Sequence, residues 1–303
     1  MRVFRGFEQV KGIRNPVVTT GSFDGVHIGH KTILNRLRML AEKYDGESVL
    51  ITFDPHPRKV LYPETAGKDL KLINSREEKL ELLRKAGLDN LIIVEFTREF
   101  SKTTSEEFVR DYLYGFLKAR VVVVGFNHHF GFNQEGDYKQ LWGWREKYGF
   151  EAEEIPEQEV QHETVSSTKI RKAIGEGYIQ RANAYLDHYY MVMGVPEKFT
   201  SLFDLSFLKI PLTEECKLLP ATGIYAVSVI SGETSSKGMA VVCASQEEKP
   251  EVILNIFEYE DLFTGKCATL LFHKMIHGKV SLSDERTGER FMHAKAEISD
   301  LIY

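Results

Sequence analysis

Short apolar segments alternate with segments of helical periodicity over the first 185 or so residues, and this alternation constrains the fold most. The apolar segments are predicted strands at Pro16–Thr20, Ser48–Phe53, Leu91–Val94 and Arg120–Val124. Between the first two, residues 27–44 carry apolar side chains at the spacing of an amphipathic helix. Continuous apolar strands separated by helices are typical of a parallel sheet covered on both faces. Such sheets bind their ligands beyond the carboxyl ends of the strands.

Two pairs of polar residues predict further helix starts. Ser75 stands three residues before Glu78, and Thr104 stands three residues before Glu107. This is the spacing of a capping box, in which each side chain bonds the backbone N–H of the other residue. We therefore expect a helix to begin at each pair.

The sequence pattern changes after about Asp187. From there, short β-prone segments are separated by Gly, Ser, Lys and Pro, as in an antiparallel sheet or barrel. The charged tail from Ser283 to Tyr303 is interpreted as a packing helix. A length of 303 residues favours two domains. We place them at residues 1–187 and 188–303.

Composition excludes several classes of protein. Lys and Arg number 39 and Asp and Glu 44, so a formal charge of −5 offers no basic surplus for binding nucleic acid. Three widely spaced cysteines, Cys216, Cys243 and Cys267, fit neither a disulfide framework nor a zinc site and favour a reducing compartment. The first residues lack a signal-peptide apolar region, and no apolar run approaches the length of a membrane span. We expect a cytoplasmic protein without a membrane or nucleic-acid partner.

Residues 21–30, Gly-Ser-Phe-Asp-Gly-Val-His-Ile-Gly-His, carry the densest set of chemical groups. A predicted strand leads into this Gly-rich turn, which opens a predicted helix. Backbone N–H groups at a helix start form an anion site, and His27 and His30 project from the first turn. This arrangement suits a triphosphate attacked at its α-phosphorus, where imidazole N–H groups stabilise the growing negative charge. Two simpler interpretations are half of a zinc site and a surface pair without function.

Three further segments are candidates. Ser166-Ser167-Thr168-Lys169-Ile170-Arg171 combines capping hydroxyls with positive charge, and alone it is also an ordinary basic helix start. Asp54-Pro55-His56-Pro57 is a proline-stiffened strand exit. Residues 125–131, Gly-Phe-Asn-His-His-Phe-Gly, form an aromatic loop bounded by glycines.

These four segments, in this order, resemble the adenylyltransferase half of the bacterial bifunctional riboflavin kinase/FAD synthetase family. The similarity covers roughly residues 15–186, and it is most specific where residues 21–30 combine with Thr52-Phe53-Asp54-Pro55-His56-Pro57. It implies an α/β protein with a Rossmann-like, parallel-sheet nucleotidyltransferase domain followed by a smaller antiparallel β-barrel-like domain. The implied reaction is ATP + FMN → FAD + pyrophosphate, with Mg²⁺ neutralising the phosphates.

The resemblance also implies a role for each matching residue. His27 and His30 would be catalytic, and Phe53, Asp54 and His56 would bind FMN. The ATP-binding residues it implies are Gly21, Phe23, Asp24, Gly25, Gly29, Asn127, Ser166, Thr168 and Arg171. The residues that would contact the metal are left unknown. One departure lies in the loop, where Gln134 stands in place of the usual Arg of the family.

The C-terminal part resembles the riboflavin kinase half only in its strands. The segment Leu218–Val227 matches a kinase strand, and Asp261–Lys266 is similar to the Asp-Leu-Tyr-Gly-Lys of the family. The ATP and Mg²⁺ signature expected after Gly194 is absent, as is any Pro-Thr-Ala-Asn. The catalytic Glu aligns near Ile253, which cannot accept a proton, unless Glu251 or Glu258 substitutes for it.

We therefore expect an FMN adenylyltransferase whose kinase half no longer phosphorylates riboflavin. The kinase-like half would then have a role in packing, in dimerisation to a homo-oligomer or in flavin sensing, or it would only add stability. Two alternatives remain open at this point. One is a nucleotidyltransferase for another phosphorylated acceptor, and the other is a catalytically inactive regulator that binds flavin or nucleotide.

Overall fold

The computed structural model describes residues 1–160, 163–244, 250–258, 261, 263, 265–280, 282 and 286–301. They form two compact units. The first contains residues 1–70 and 80–164, and the second contains the described part of residues 71–79 and 165–303. No helix in these described ranges is long and apolar enough to cross a membrane.

The first unit is built on a parallel sheet, as the sequence predicted. Its strands are β1 (Arg2–Arg5), β2 (Val17–Thr20), β3 (Ser48–Asp54), β4 (Asn90–Glu95), β5 (Val121–Gly125) and β6 (Glu151–Ile155). They lie in the order β1-β4-β3-β2-β5-β6, and the paired neighbours run parallel. The strand order reverses at β2, so the carboxyl ends of β2 and β5 flank the crevice where such sheets bind ligands. The short strands β7 (Glu159–Val160) and β8 (Glu163–Thr164) pair separately.

Helices α1, α5 and a π-helix pack on this sheet. The helices of this part of the chain are α1 (Ile28–Lys43), α2 (Pro57–Leu61), α3 (Arg76–Lys85), α4 (Ser105–Glu107), which continues as the π-helix over Phe108–Phe116, and α5 (Tyr138–Tyr148). Residues 76–79 of α3 belong to the second unit. Val18 and Val122 pack in one cluster with Val109 of the π-helix, while the alternate strand residues Val17 and Val123 are buried as well. Successive side chains of a strand point to opposite faces of the sheet, so these continuous apolar strands are buried on both faces.

Both predicted capping boxes are confirmed. The Glu78 backbone N–H donates to Ser75 Oγ at 3.2 Å, and the Ser75 N–H donates to Glu78 Oε2 at 2.9 Å. Thr104 and Glu107 form the same reciprocal pair at the start of α4. What the sequence did not indicate is that the helix after Glu107 is a π-helix, which is uncommon at this length.

The second unit contains an antiparallel sheet and helices. Its strands are β9 (Tyr190–Gly194), β10 (Glu197–Leu202), β11 (Leu205–Ile210), β12 (Gly223–Ser231), β13 (Thr234–Ala244), β14 (Pro250–Ile256) and β15 (Ala268–Gly278). The helices are α6 (Ser167–Gly175), α7 (Ile179–Leu186) and α8 (Thr287–Asp300). The predicted tail helix is thus confirmed from Thr287 to Asp300, while residues 283–285 lie outside the described part. The segment Asp261–Lys266 is described only at 261, 263, 265 and 266.

The chain connectivity shows that this sheet curls into a barrel-like form. The described strands lie in the order β10-β11-β14-β13-β12-β15-β9, so β9 and β10 occupy opposite edges. Val195 and Pro196 alone connect β9 to β10, and a connection of this length spans about 11 Å at most. In a flat sheet of seven strands the two edges would lie about 29 Å apart, so the sheet must curl. The end of β9 lies close to the end of β11, because a Cβ on Gly194 would stand 2.8 Å from Ile210 Cγ2. The predicted fold class is confirmed.

Candidate active site

The Gly-rich segment lies between β2 and α1, at the crevice of the parallel sheet. Gly25 has φ = 92°, and Phe23 and Val26 also have positive φ values of 48° and 42°. A β-branched residue rarely adopts this region, so the turn is held in place by its surroundings. Two such contacts are the bond from the Gly21 N–H to the Ile51 carbonyl and that from Thr52 Oγ1 to the Ser22 carbonyl.

His27 and His30 lie together at the start of α1. His27 is the N-cap residue, and its carbonyl accepts the first helical bond from the Lys31 N–H at 2.9 Å. The two imidazole rings are stacked with centroids 3.7 Å apart, and the Phe23 ring stacks on the other side of His30 at 4.4 Å. His27 is only 7% exposed and Asp24 only 2%. The structure therefore brings both predicted catalytic histidines to one helix N-terminus, where backbone N–H groups attract anions.

Gly29 is needed for the packing of His27. A Cβ at Gly29 would stand 3.3 Å from Cε1 and Nδ1 of the His27 ring, closer than ordinary van der Waals contact. Any larger residue therefore pushes the ring from its position. Gly29, one of the residues predicted to bind ATP, thus lies against the ring of His27.

The substitution Gly29→Ala is expected to lower kcat for the adenylyl transfer proposed below by about threefold to tenfold, because small displacements of a catalytic group are costly. Gly143→Ala in α5 is the matched control, since a Cβ there meets nothing within 4 Å. Alanine favours a helix over glycine at both positions, so both variants should remain at least as stable as wild type by circular dichroism. Equal kcat values for the two variants would contradict the role of Gly29.

The exit of β3 carries the predicted FMN residues. Phe53 and Asp54 are the last residues of the strand, and the Asp54–Pro55 peptide bond is cis. His56 is the N-cap residue of α2, and its Nδ1 accepts a hydrogen bond from the Arg58 N–H at 3.2 Å. An accepting Nδ1 leaves Nε2 as the protonated nitrogen of a neutral imidazole. His56 can therefore donate one hydrogen bond from Nε2.

An aromatic cluster surrounds Phe53. Its ring meets Phe96 edge-on with centroids 5.5 Å apart, and Phe100 at 5.9 Å. Phe96 and Phe100 in turn meet edge-on at 5.8 Å. Phe96 and Phe100 belong to no sequence motif and were not predicted as site residues. Only the pairing of β3 with β4 brings them close to Phe53.

The loop after β5 contains Asn127, which is exposed and has φ = 54°. Burial lowers the pKa of the neighbouring His128 to about 4, so its imidazole is neutral at pH 7. Gln134, which replaces the Arg of the family, is exposed on a 3-10 turn over Phe132–Gln134. The loop is closed by reciprocal backbone bonds between Phe130 and Gly136.

The Ser-Thr-Arg segment opens α6 in the second unit. Ser166 caps this helix, and its Oγ accepts from the Lys169 N–H at 3.4 Å. Thr168 is exposed, and Arg171 Nε donates to the Lys71 carbonyl at 3.0 Å. The capping hydroxyl was predicted, whereas the carbonyl partner of Arg171 was not, because the two residues are 100 positions apart in the chain.

Comparisons with known proteins bear on this site. The family model described as FAD synthetase matches residues 10–169, more than half of the chain. The chain is also 34% identical to a FAD synthetase of Listeria monocytogenes, over 76% of this chain and 90% of that one. It is 32% identical to a bifunctional riboflavin kinase/FMN adenylyltransferase of the same organism, over 88% of this chain and 81% of that one.

The chain belongs to the FAD synthetase family. The family region includes the Gly-rich turn, both histidines and the exit of β3. A bifunctional riboflavin kinase/FMN adenylyltransferase of Escherichia coli is 28% identical over 79% of this chain and 77% of that one. The similarity to these FAD synthetase relatives therefore extends into the second unit.

A solved structure shares the fold of this FAD synthetase family member. It is the crystal structure of a protein from Streptococcus pneumoniae named as a macrolide-efflux protein, and it matches with a TM-score of 0.88 over the full length of both chains. The sequence identity is 21%, so the likeness concerns the fold alone.

Proposed function

We propose that this protein is an FMN adenylyltransferase that transfers AMP from ATP to FMN and releases pyrophosphate. The observation that carries the proposal is the stacked pair of His27 and His30 at the N-terminus of α1, in a chain of the FAD synthetase family. Stacking and burial restrict the rotation of both imidazoles. Fixed donors are what stabilisation of a transition state requires, because they need no reorganisation during the reaction.

In the proposed reaction, a phosphate oxygen of FMN attacks the α-phosphorus of ATP. A new P–O bond forms, the bond from the α-phosphorus to the bridging oxygen breaks, and pyrophosphate leaves with the electron pair. The attacking oxygen is already anionic, so no protein base is needed. His27 and His30 would donate hydrogen bonds to the phosphoryl oxygens on which negative charge grows.

On the nucleotide side, Gly21, Gly25 and Asn127 would let the nucleotide lie close to the backbone of the turn and the loop. Ser166, Thr168 and Arg171 would hold the β- and γ-phosphates. Mg²⁺ would enter as part of the MgATP substrate, since Mg²⁺ in such enzymes is bound largely through phosphate oxygens.

On the acceptor side, Phe53, Asp54 and His56 would bind FMN. The edge-to-face cluster of Phe53, Phe96 and Phe100 offers an apolar surface for a planar ring system. The Nε2–H of His56 would donate to a polar group of the acceptor. This combination of an aromatic wall and a few polar groups is typical of a cofactor-sized site.

We further propose that residues 188–303 form a riboflavin-kinase-like domain without kinase activity, following the adenylyltransferase domain at residues 1–187. Ile253, at the expected position of the catalytic base, is fully buried in one apolar cluster with Val241 and Phe291. Glu251 lies on the same face of β14 but forms an ion pair with Lys209 at 2.7 Å. Glu258 is exposed beyond the end of β14. These positions support the proposal that neither carboxylate replaces the base at residue 253.

The segment after Gly194 supports the same proposal. Where the family has its ATP and Mg²⁺ signature, this chain forms the hairpin of β10 and β11, with Phe203 and Asp204 at positive φ in the turn. Phe203 meets Phe291 of α8 edge-on at 5.8 Å. A hairpin with an aromatic contact in place of the family signature supports the proposed loss of kinase activity.

A paired assay tests both statements. With ATP, Mg²⁺ and FMN, the purified protein is expected to form FAD, whereas with ATP, Mg²⁺ and riboflavin it should form no FMN, as measured by chromatography. FMN formation from riboflavin would overturn the loss of kinase activity. Pyrophosphate release with another phosphorylated acceptor but not with FMN would favour a different transferase, and binding without turnover would favour a regulator.

We also propose that the protein is a cytoplasmic enzyme without a nucleic-acid partner. Its three widely spaced cysteines favour a reducing compartment, and its charge balance offers no basic surplus for nucleic acid. The barrel-like domain is a candidate surface for a homo-oligomer. Sedimentation of the purified protein at several concentrations measures its oligomeric state.

A further inference from the structure

A buried ion pair in the second unit involves residues that the proposed reaction does not use. Lys217 Nζ lies 2.6 Å from Glu78 Oε2, and the two side chains are only 2% and 1% exposed. Lys217 Nζ also donates to the carbonyls of Ile73 at 2.6 Å and Met191 at 2.8 Å. Three acceptors match the three N–H donors of a lysine ammonium, as a buried charge requires.

Glu78 connects the same pair to the rest of this unit. Its Oε2 accepts from the Ser75 N–H at 2.9 Å, and its Oε1 accepts from the Met193 N–H of β9 at 3.0 Å. The ion pair therefore joins residues 71–79, which we term the strap, to strand β9 of the barrel-like sheet. Removal of either charge leaves the other buried without its counter-ion.

The strap is also fixed along its backbone. The Leu72 N–H donates to the Cys216 carbonyl at 2.7 Å, and the Leu218 N–H donates to the Leu72 carbonyl at 2.7 Å. These bonds make Leu72 and Lys217 partners in a parallel β-bridge. The backbone of Leu72 is therefore bonded to the segment that carries Lys217, the lysine of the buried ion pair.

Arg171 is attached to the end of this strap. Its Nε donates to the carbonyl of Lys71, the residue before Leu72, at 3.0 Å. A guanidinium is planar and rigid, so a bond at Nε fixes the plane in which its other N–H groups point. Fixed orientation of that plane is what bidentate binding of phosphate oxygens requires.

We propose that Lys217 and Glu78 are positioning residues for adenylyl transfer: through the strap, they hold the Arg171 guanidinium in the orientation that binds the ATP phosphates. This inference rests on the proposed function of Arg171. Loss of the buried pair removes the bonds of Lys217 Nζ to the Ile73 and Met191 carbonyls. The strap is then held less rigidly against β9, and the Lys71 carbonyl no longer fixes the plane of Arg171 as tightly. The domain that lacks kinase activity is then retained because adenylyl transfer depends on it.

The double variant Lys217→Met/Glu78→Gln tests the proposal, because it removes both charges and keeps similar volumes. The KM for ATP is expected to rise about threefold to tenfold, while the KM for FMN changes less than about twofold. The same double variant in an Arg171→Ala background should change the KM for ATP less than about twofold, because coupled residues are not additive. Glu81→Gln is the control, since Glu81 on the same helix pairs only on the surface with Arg84 and Lys85.

The outcomes separate the two proposals. If wild type forms FAD but the two effects on the KM for ATP are additive, or both KM values rise equally, the positioning role is wrong and the function stands. If wild type forms no FAD, the proposed function is wrong, and calorimetric titration with MgATP still measures whether the double variant weakens nucleotide binding through Arg171. Unchanged MgATP affinity in that titration overturns the positioning role.

Discussion

Replacement of His27 by alanine is expected to lower kcat for FAD formation by about 10²–10³-fold, the effect of removing one preorganised donor to a developing oxyanion. The imidazole of His27 is buried at the N-terminus of α1 and stacked on His30, so water does not readily take its place. Its side chain makes no capping bond to the helix, so alanine costs the helix no cap. The KM for ATP should change little, because the interaction strengthens only in the transition state.

Steady-state kinetics on His27→Ala, His30→Ala and the double variant measure this effect. Because the two rings are stacked, the double variant is expected to lose less than the product of the single losses. His293→Ala, on the exposed part of α8, serves as the control histidine and should keep wild-type kinetics. A kcat for His27→Ala within about twofold of wild type would remove this residue from the mechanism.

Replacement of Lys217 alone by methionine is expected to lower the free energy of unfolding by about 3–5 kcal/mol. The single variant leaves the Glu78 carboxylate buried at 1% exposure without its counter-ion, and the carbonyls of Ile73 and Met191 lose their donor. The double variant Lys217→Met/Glu78→Gln removes the unpaired charge, so it should recover most of this loss.

Urea unfolding followed by circular dichroism measures the two variants. The protein has two tryptophans, Trp142 and Trp144, both in α5 of the first unit, so their fluorescence reports separately on that unit. The single variant should shift the circular dichroism transition more than the fluorescence transition. Equal stability of the single and double variants would show that the buried charge is not what stabilises this region.

The local patterns of the sequence were sufficient for the central strands of the first unit and for helix α1. The helix predicted over residues 27–44 forms over Ile28–Lys43, because its apolar spacing and its start after a Gly-rich turn are local features. Four predicted strands form as β2, β3, β4 and β5 for the same reason. The sequence did not predict strands β1, β6, β7, β8 and β9 or the hairpin of β10 and β11. In β6 (Glu151–Ile155), for example, charged residues interrupt the apolar ones, so no apolar run marks the strand.

The candidate site shows the same division. The motif at residues 21–30 located both histidines, since the chemistry and the turn are encoded within ten residues. The stacking of Phe23, His30 and His27, and the closeness of Gly29 to His27, depend on backbone angles such as the positive φ of Val26. Those angles are held by contacts with β3 that the motif does not contain.

The sequence by itself determined the fold class of each part, the turn and two histidines of residues 21–30, and the capping box of Ser75 with Glu78. These features depend on periodicity and on residues a few positions apart. Only the tertiary structure decided that the same Glu78 also pairs with Lys217, 139 positions away, and that Arg171 bonds the Lys71 carbonyl. A carboxylate that caps a helix is indistinguishable in sequence from one that also neutralises a buried lysine. The difference arises from burial, which is fixed only when distant segments pack together and exclude water.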